Sequence, residues 1–456
     1  MNFVYNLDYA PPIKKFLMKN VFLFFLFLSF ISYSQETIVK VDGNTKENYN
    51  YQKIVKKQDG TIITDADADG ILILKQNSSY YKRIYDSQIN VKWYGAKGDG
   101  ITDDTKAIQN AINGIYNLNK PVNMSGGWLV GSGVIYFPSG NYKISEKIII
   151  KDNISLLGEN KNTVRIDSSA PVAFTNVEGE TANPKKMNHS INIENLFITG
   201  GGIELQGAYR TSLHNVNIFN VASGFGLILR MTVALYMDEV QIFNCKTGVY
   251  IQGSAGKGPS TTIDINRLWV MHCSTSGMTV SSYPNELIST KIRNSIFEYN
   301  DKGVVLAGKN EISFDNIHFE QNKGGSLEAY DNTSLNLEDI WCDVGNITFF
   351  AGNGTENNVV SLKNISAPVY VQNGYKGTIF VDGKVNIQTL PNNGEKVFFA
   401  KGNNTDRTTE KNNNKGKSIN RPTNIEIGFQ YFDVDLSKPI YWNGIKWLDS
   451  NGDTVQ

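Results

Sequence analysis

Between residues 190 and 350 the apolar positions recur in a six-residue frame rather than with helical spacing. Seven segments share it: 193–198, 213–218, 237–242, 265–270, 292–297, 314–319 and 337–342. Their first, fourth and sixth positions are apolar apart from Ser295, and the third is often Asn. The third positions, residues 195, 215, 239, 267, 294, 316 and 339, are 20, 24, 28, 27, 22 and 23 residues apart. A repeat of this period predicts one turn of a coil of short strands. Each turn stacks on the last at about 4.8 Å through parallel pairing, and inward side chains form columns. Asn at the third position suits a turn, where its side chain bonds neighbouring backbone.

The frame also predicts which side chains leave the core, because alternate strand residues face opposite ways. Position five carries Phe197, Asn217, Gln241, Trp269, Ile296, His318 and Trp341. Position seven carries Phe219, Phe243, Met271, Glu298, Glu320 and Asp343. Three consecutive turns therefore present a carboxylate in one register. Stacked like charges raise one another's proton affinity, an arrangement expected where chemistry occurs. Glycoside cleavage uses two carboxyl groups, about 5–5.5 Å apart for retention and about 6.5–9.5 Å for inversion. Adjacent turns approximate the first spacing and alternate turns the second. Glu298, Glu320 and Asp343 are thus the candidate catalytic residues. Trp269, His272, Arg293, Tyr299, His318 and Trp341 stand beside them as candidate substrate-binding residues, the indoles offering flat faces to sugar rings. The competing reading is a solvated acidic stripe neutralised by Lys302, Lys309 and Lys323. Asp238 and Glu239 fall at turn positions and point apart, and His189 and His214 read as structural.

Upstream, the apolar run 21–31 follows Lys14, Lys15 and Lys19 and is too short to span a bilayer. It reads as a secretory signal within 1–35, with the mature chain starting near Gln35 and working outside the cytoplasm, extracellular or periplasmic. Residues 36–90 form a polar leader with β-like runs at 71–74 and 80–85. Asp65, Asp67 and Asp69 match the first half of a calcium loop, but Gln76 stands where its closing Glu belongs. A plain turn is the better reading, and no cofactor or other metal site is expected. Over 102–115, Thr102 is placed to cap a helix, Asp103 and Asp104 lie in its first turn, and Ala107, Ile108, Ala111, Ile112 and Ile115 form one face.

The stretch from Val91 to Ile112, with its Gly98-Asp99-Gly100 and Thr102-Asp103-Asp104, resembles the opening of the pectate-lyase-like superfamily. Residues 133–144 and 154–158 extend the resemblance. It implies an all-β, right-handed parallel β-helix over 91–400, its N-terminal end closed by the 103–115 helix. The superfamily includes glycoside hydrolases, polysaccharide lyases and phage tailspikes, so it specifies the fold well and the reaction poorly.

Residues 401–422 are rich in Asn and Lys and read as a linker. Over 423–456, Asn443-Gly444 between aromatic-rich runs predicts a small C-terminal β-hairpin module, of a kind that closes a solenoid end or aids a homotrimer. Cys245 and Cys273 fall at the same position of consecutive turns and should stack, with free thiols slightly favoured over a bond, while Cys342 looks inward.

The 44 basic and 44 acidic residues cancel, which argues against nucleic acid as a partner. No membrane span is expected in the mature chain. The leading functional reading is a secreted polysaccharide-cleaving enzyme working in a lateral groove, a glycoside hydrolase using paired carboxylates. A polysaccharide lyase acting on a uronate polymer is the first alternative, with Arg267, Lys291 and Arg293 supplying cations. A non-catalytic glycan-binding or adhesion protein is the second.

Overall fold

A computed structural model of the chain describes residues 36–124, 128–177, 188–253, 258–281, 287–330, 333–351, 359–372, 375, 377–389, 396–399, 415–422, 425 and 429–455. The expected signal at 1–35 and residues 401–414 of the expected linker lie outside the described residues.

The frame of the repeats is the frame of the fold. Among the described residues the strands of the solenoid form a 27-stranded sheet, wound as a right-handed parallel β-helix of about 9 turns. The first-position residues Ile193, Leu213, Met237, Ile265, Ile292, Phe314 and Leu337 are all fully buried, and the fourth-position residues are almost fully so. Each buried side chain of this size stabilises by about 1.5–3 kcal/mol, so stacked columns of them supply the driving force. Ser295, the one polar member, accepts from the Leu268 amide at 3.1 Å and donates to the Arg293 carbonyl at 2.7 Å. Its hydroxyl is satisfied in the core, as burial requires.

The long strands Ala208–Phe219, Val233–Phe243, Ser260–Met271, Leu287–Glu298 and Asn310–Glu320 pair in parallel one turn to the next. Each bends without breaking at the third position. Asn195, Asn215, Glu239, Arg267, Asn294, Asn316, Asp339 and Asn364 all hold φ between 51° and 56°. Asn is among the few residues that visit this left-handed region readily. Its amide also bonds up the column: Asn215 donates to Asn195 at 2.7 Å, Asn316 to Asn294 at 2.8 Å and Asn364 to Asp339 at 2.8 Å. The expected turn is thus a bend inside a strand, and the Asn column is a hydrogen-bonded ladder.

On a second face, Gly226, Gly248, Gly277 and Gly303 stack. A Cβ on Gly248 would lie 2.4 Å from the Gly277 carbonyl oxygen, and one on Gly303 would lie 2.3 Å from that of Ser326. Cys245 and Cys273 are both buried free thiols, as the spacing favoured. Their mutual hydrogen bond, and then burial, hold the Cys273 thiol far above its ordinary range.

The capping helix runs Thr105–Leu118 and buries Ile108, Ala111, Ile112 and Ile115. It starts later than the sequence suggested, because Asp99–Asp103 pairs as a strand with Gly140–Ile144. Thr102 turns back to Asp99, and the Asp104 carboxylate accepts from the amides of Lys97 (2.6 Å) and Gly98 (2.9 Å). Hydrogen bonds from Ser145 and then Thr105 hold Asp103 down to about 2.

The leader has its own order. Residues 37–41, 48–54, 73–76 and 79–83 make a four-stranded antiparallel sheet, where only the last two runs had been expected. Within it Asp65 accepts from Lys75 and Tyr80, Asp67 from Thr64, and Asp69 from the amides of Ile71, Leu72 and Ile73. Near the C-terminus, Gln430–Asp433, Lys438–Trp442 and Trp447–Asp449 form an antiparallel meander with the expected hairpin at Asn443-Gly444. Its small core is Tyr431, Ile440 and Trp447.

Candidate functional site

The two outward columns stand in the register that the repeat predicted. Asn217, Gln241, Trp269, Ile296, His318 and Trp341 pair successively, as do Phe219, Phe243, Met271, Glu298 and Glu320. Glu298 and Glu320 are direct neighbours on adjacent turns. Glu298 is only 9% exposed, covered by Trp269, whose indole Nε1 donates to its Oε1 at 2.7 Å. Glu320 is more open, and His318 Nε2 lies 3.6 Å from its Oε2. His318 in turn packs edge-on against Trp341 at 4.1 Å between ring centroids.

Aromatic surface flanks the pair. Trp269, Tyr299 and Trp341 are 38%, 47% and 48% exposed, so their rings are open to a ligand. Tyr299 and His272 occupy left-handed corners one residue past the carboxylate column and stack at 5.2 Å. Their side chains are thereby presented beside the column.

Two expected members are committed to other bonds. Asp343 lies one residue beyond the strand Thr333–Cys342, where the ladder has ended. Its carboxylate accepts from the Gln321 amide at 3.0 Å, the Gln321 side chain at 2.8 Å and the Val344 amide at 2.5 Å. Burial pushes its carboxyl up, and these donors outweigh that and hold it below the ordinary range. Asp343 therefore closes a turn. Arg293 precedes the bend at Asn294, which carries it onto the neighbouring face, where it pairs with Asp264 at 2.9 Å. Lys302, assigned to neutralise the stripe, pairs elsewhere with Glu328 at 2.8 Å.

The structure also brings together residues that sequence reasoning set aside. Asp238 is 5% exposed and accepts from Asn266 at 2.8 Å and from both Nε (2.9 Å) and Nη2 of Arg267, with His214 Nδ1 at 3.4 Å. Burial pushes its carboxyl up, but the bonds from Arg267 and Asn266 and the Arg267 charge hold it below the ordinary range. A cleft of about 310 Å³ opens beside this cluster, bordered by Trp269. In the sequence Asp238 and Glu239 read as turn residues. The signal that could have found them was the alignment of His214, Asp238 and Asn266 at position two of consecutive turns. Among the described residues no group of three or more His, Cys, Asp or Glu is arranged to hold a metal ion, and no helix is long and apolar enough to cross a membrane.

Residues 88–327 match the family model described as rhamnogalacturonase A/epimerase, pectate lyase-like. The chain belongs to this family. The matched span includes the capping helix, both glutamates and the cleft, and it ends before Trp341 and Asp343. Among curated relatives, the non-secreted LysM effector LysM15 of Penicillium expansum is 26% identical over 289 residues, 48% of this chain and 20% of that protein. Alginate lyase 7 of Azotobacter vinelandii is 32% identical over 129 residues, 26% of this chain and 13% of that protein. The chain thus spans a fifth or less of the length of either relative. Among solved structures, the catalytic unit of a GH87 α-1,3-glucanase from Streptomyces thermodiastaticus superposes with a TM-score of 0.49 at 12% identity, covering 73% of each chain.

Proposed function

We propose that this family member cleaves a polysaccharide by hydrolysis on the lateral face of its β-helix, with Glu298 and Glu320 as the reacting carboxyl groups. The observation that carries the reading is their direct register on adjacent turns, with the exposed Trp269 ring bonded to Glu298. Turns rise by about 4.8 Å, which suits the roughly 5–5.5 Å of a retaining pair better than the wider inverting one. Trp269 fixes the orientation of Glu298 through its indole donor, so Glu298 is assigned the attacking role. Glu320, open to solvent beside His318, is assigned proton donation to the leaving oxygen and later activation of water. Trp269, Tyr299 and Trp341 stack on the sugar rings. Asp343 is left a turn-forming role. The expected secretory signal within 1–35 supports a reaction outside the cytoplasm.

The test is mass spectrometry of products after incubation of the protein with a polysaccharide panel. Saturated fragments that each gain one water are expected, absent in Glu298→Gln and Glu320→Gln proteins that melt like the wild type. Full turnover in both variants rejects the assignment. Elimination is the second reading, favoured by the similarity to part of alginate lyase 7. It predicts unsaturated, ultraviolet-absorbing ends instead.

A further inference from the structure

The cleft bordered by Trp269 lies beside the glutamate pair rather than on it. Lys161, Glu239, Gln241, Arg267, Trp269 and Asn294 line it. Glu239, Arg267 and Asn294 are the left-handed bend residues of three successive turns, and Gln241 and Trp269 are paired neighbours two residues further along their strands. The bend column and the outward column thus converge on one space. Asn294 is committed to the ladder, donating to Asn266 and accepting from Asn316, each at 2.8 Å. The groups left facing the cleft are an ammonium, a guanidinium, a carboxylate, an amide and an indole.

The guanidinium in this cleft is already paired. Arg267 is gripped by Asp238 through two nitrogens, and its Nη2 also lies 3.4 Å from Glu239 Oε1. With Lys161, the lining holds two cations and the Glu239 carboxylate, and the buried Asp238 neutralises Arg267 from behind. A uronate carboxylate entering here would compete with Asp238 and Glu239 for the guanidinium and be repelled by both, with Lys161 alone left to attract it. A neutral sugar meets no such penalty. Its hydroxyls donate to Glu239, accept from Lys161 and the remaining Arg267 nitrogen, and do either with the Gln241 amide. The indole covers the apolar face of the ring.

We propose that this cleft is a subsite for a neutral pyranose residue, and that it discriminates against a uronate at that position. The inference rests on the glycan-acting reading for the kind of ligand, but not on which carboxylates cleave.

Retention of the full chain carrying Glu298→Gln and Glu320→Gln is measured by affinity electrophoresis. The gels contain a β-glucan, an α-glucan or galactomannan, and in parallel polygalacturonate or alginate, at low and high sodium chloride. We expect retention by at least one neutral polymer, unchanged by salt, and little by the acidic ones. Added Gln241→Ala, or Glu239→Asn, which keeps a residue suited to the bend, should each weaken that retention about fivefold, the worth of one hydrogen bond. Melting curves confirm that the variants fold. Retention only by polygalacturonate or alginate and lost with salt, retention by no neutral polymer, or neutral retention unchanged in both added variants overturns the proposal. A wild-type chain that hydrolyses a polyuronate through Glu298 and Glu320 would reject the subsite and leave the pair intact. Cleavage that survives in the double variant would reject the pair, and retention would still judge the subsite.

Discussion

The indole Nε1 of Trp269 donates to Glu298 Oε1 at 2.7 Å across one turn of the β-helix. One ring therefore does two things: it orients a nearly buried carboxylate and forms the border of the adjoining cleft. Trp269→Phe keeps the ring and deletes the donor. Loss of a hydrogen bond to a charged group is worth about 1.5–3 kcal/mol. Cleavage should fall at least tenfold, with a smaller change in substrate affinity, since stacking persists. Steady-state rates and binding, measured separately, check this.

Glu298→Gln and Glu320→Gln should each lower turnover by about 10²–10⁴-fold, the usual contribution of a positioned acid, base or nucleophile. Asp343→Asn should differ in kind. It weakens the bonds to Gln321 and Val344 and lowers stability by about 1 kcal/mol, leaving turnover within about twofold. Comparing melting temperature with rate across the three variants separates chemistry from turn formation.

Asn316 holds φ at 54° and donates to Asn294 at 2.8 Å. Asn316→Ala loses the bond and places a Cβ residue without local compensation in the left-handed region, which costs about 1–2 kcal/mol. Asn316→Gly loses only the bond. Chemical denaturation should therefore rank the variants wild type, Gly, Ala, in falling stability.

Gly248→Ala should be severe. The added methyl would lie 2.3 Å from a Val270 methyl and 2.4 Å from the Gly277 carbonyl oxygen, with packed turns on either side. Overpacking of this kind costs about 1–3 kcal/mol or more. A melting temperature within a degree or so of wild type would contradict the stacked-glycine geometry.

In the C-terminal meander, Asp433 is fully buried and accepts from Arg421 at 2.7 Å and from Ser418 at 2.9 Å. Burial pushes its carboxyl up, but these partners prevail and hold it below the ordinary value. A depressed folded-state value means the carboxylate stabilises fully above the unfolded range, about pH 4, and that contribution disappears as pH falls through the folded value. Fluorescence of the tryptophans, followed against pH, should show this segment loosening in acid. Asp433→Asn should be less stable at neutral pH and show a flatter acid limb.

Much of this molecule was legible in one dimension. A strand alternates with period two and a stacked coil returns at a near-constant interval, so apolar spacing alone placed Ile265, Ile292 and Phe314 inside and aligned Trp269, Glu298 and Glu320 outside. What spacing could not convey is where the backbone bends. The left-handed residue at Asn294 sends Arg293 to another face, and the end of pairing at Cys342 frees Asp343 to cap a turn. The same bends draw Glu239, Arg267 and Trp269 around a single cleft. Periodicity records which way a side chain points from its own strand; only the path of the chain in three dimensions decides which side chains meet.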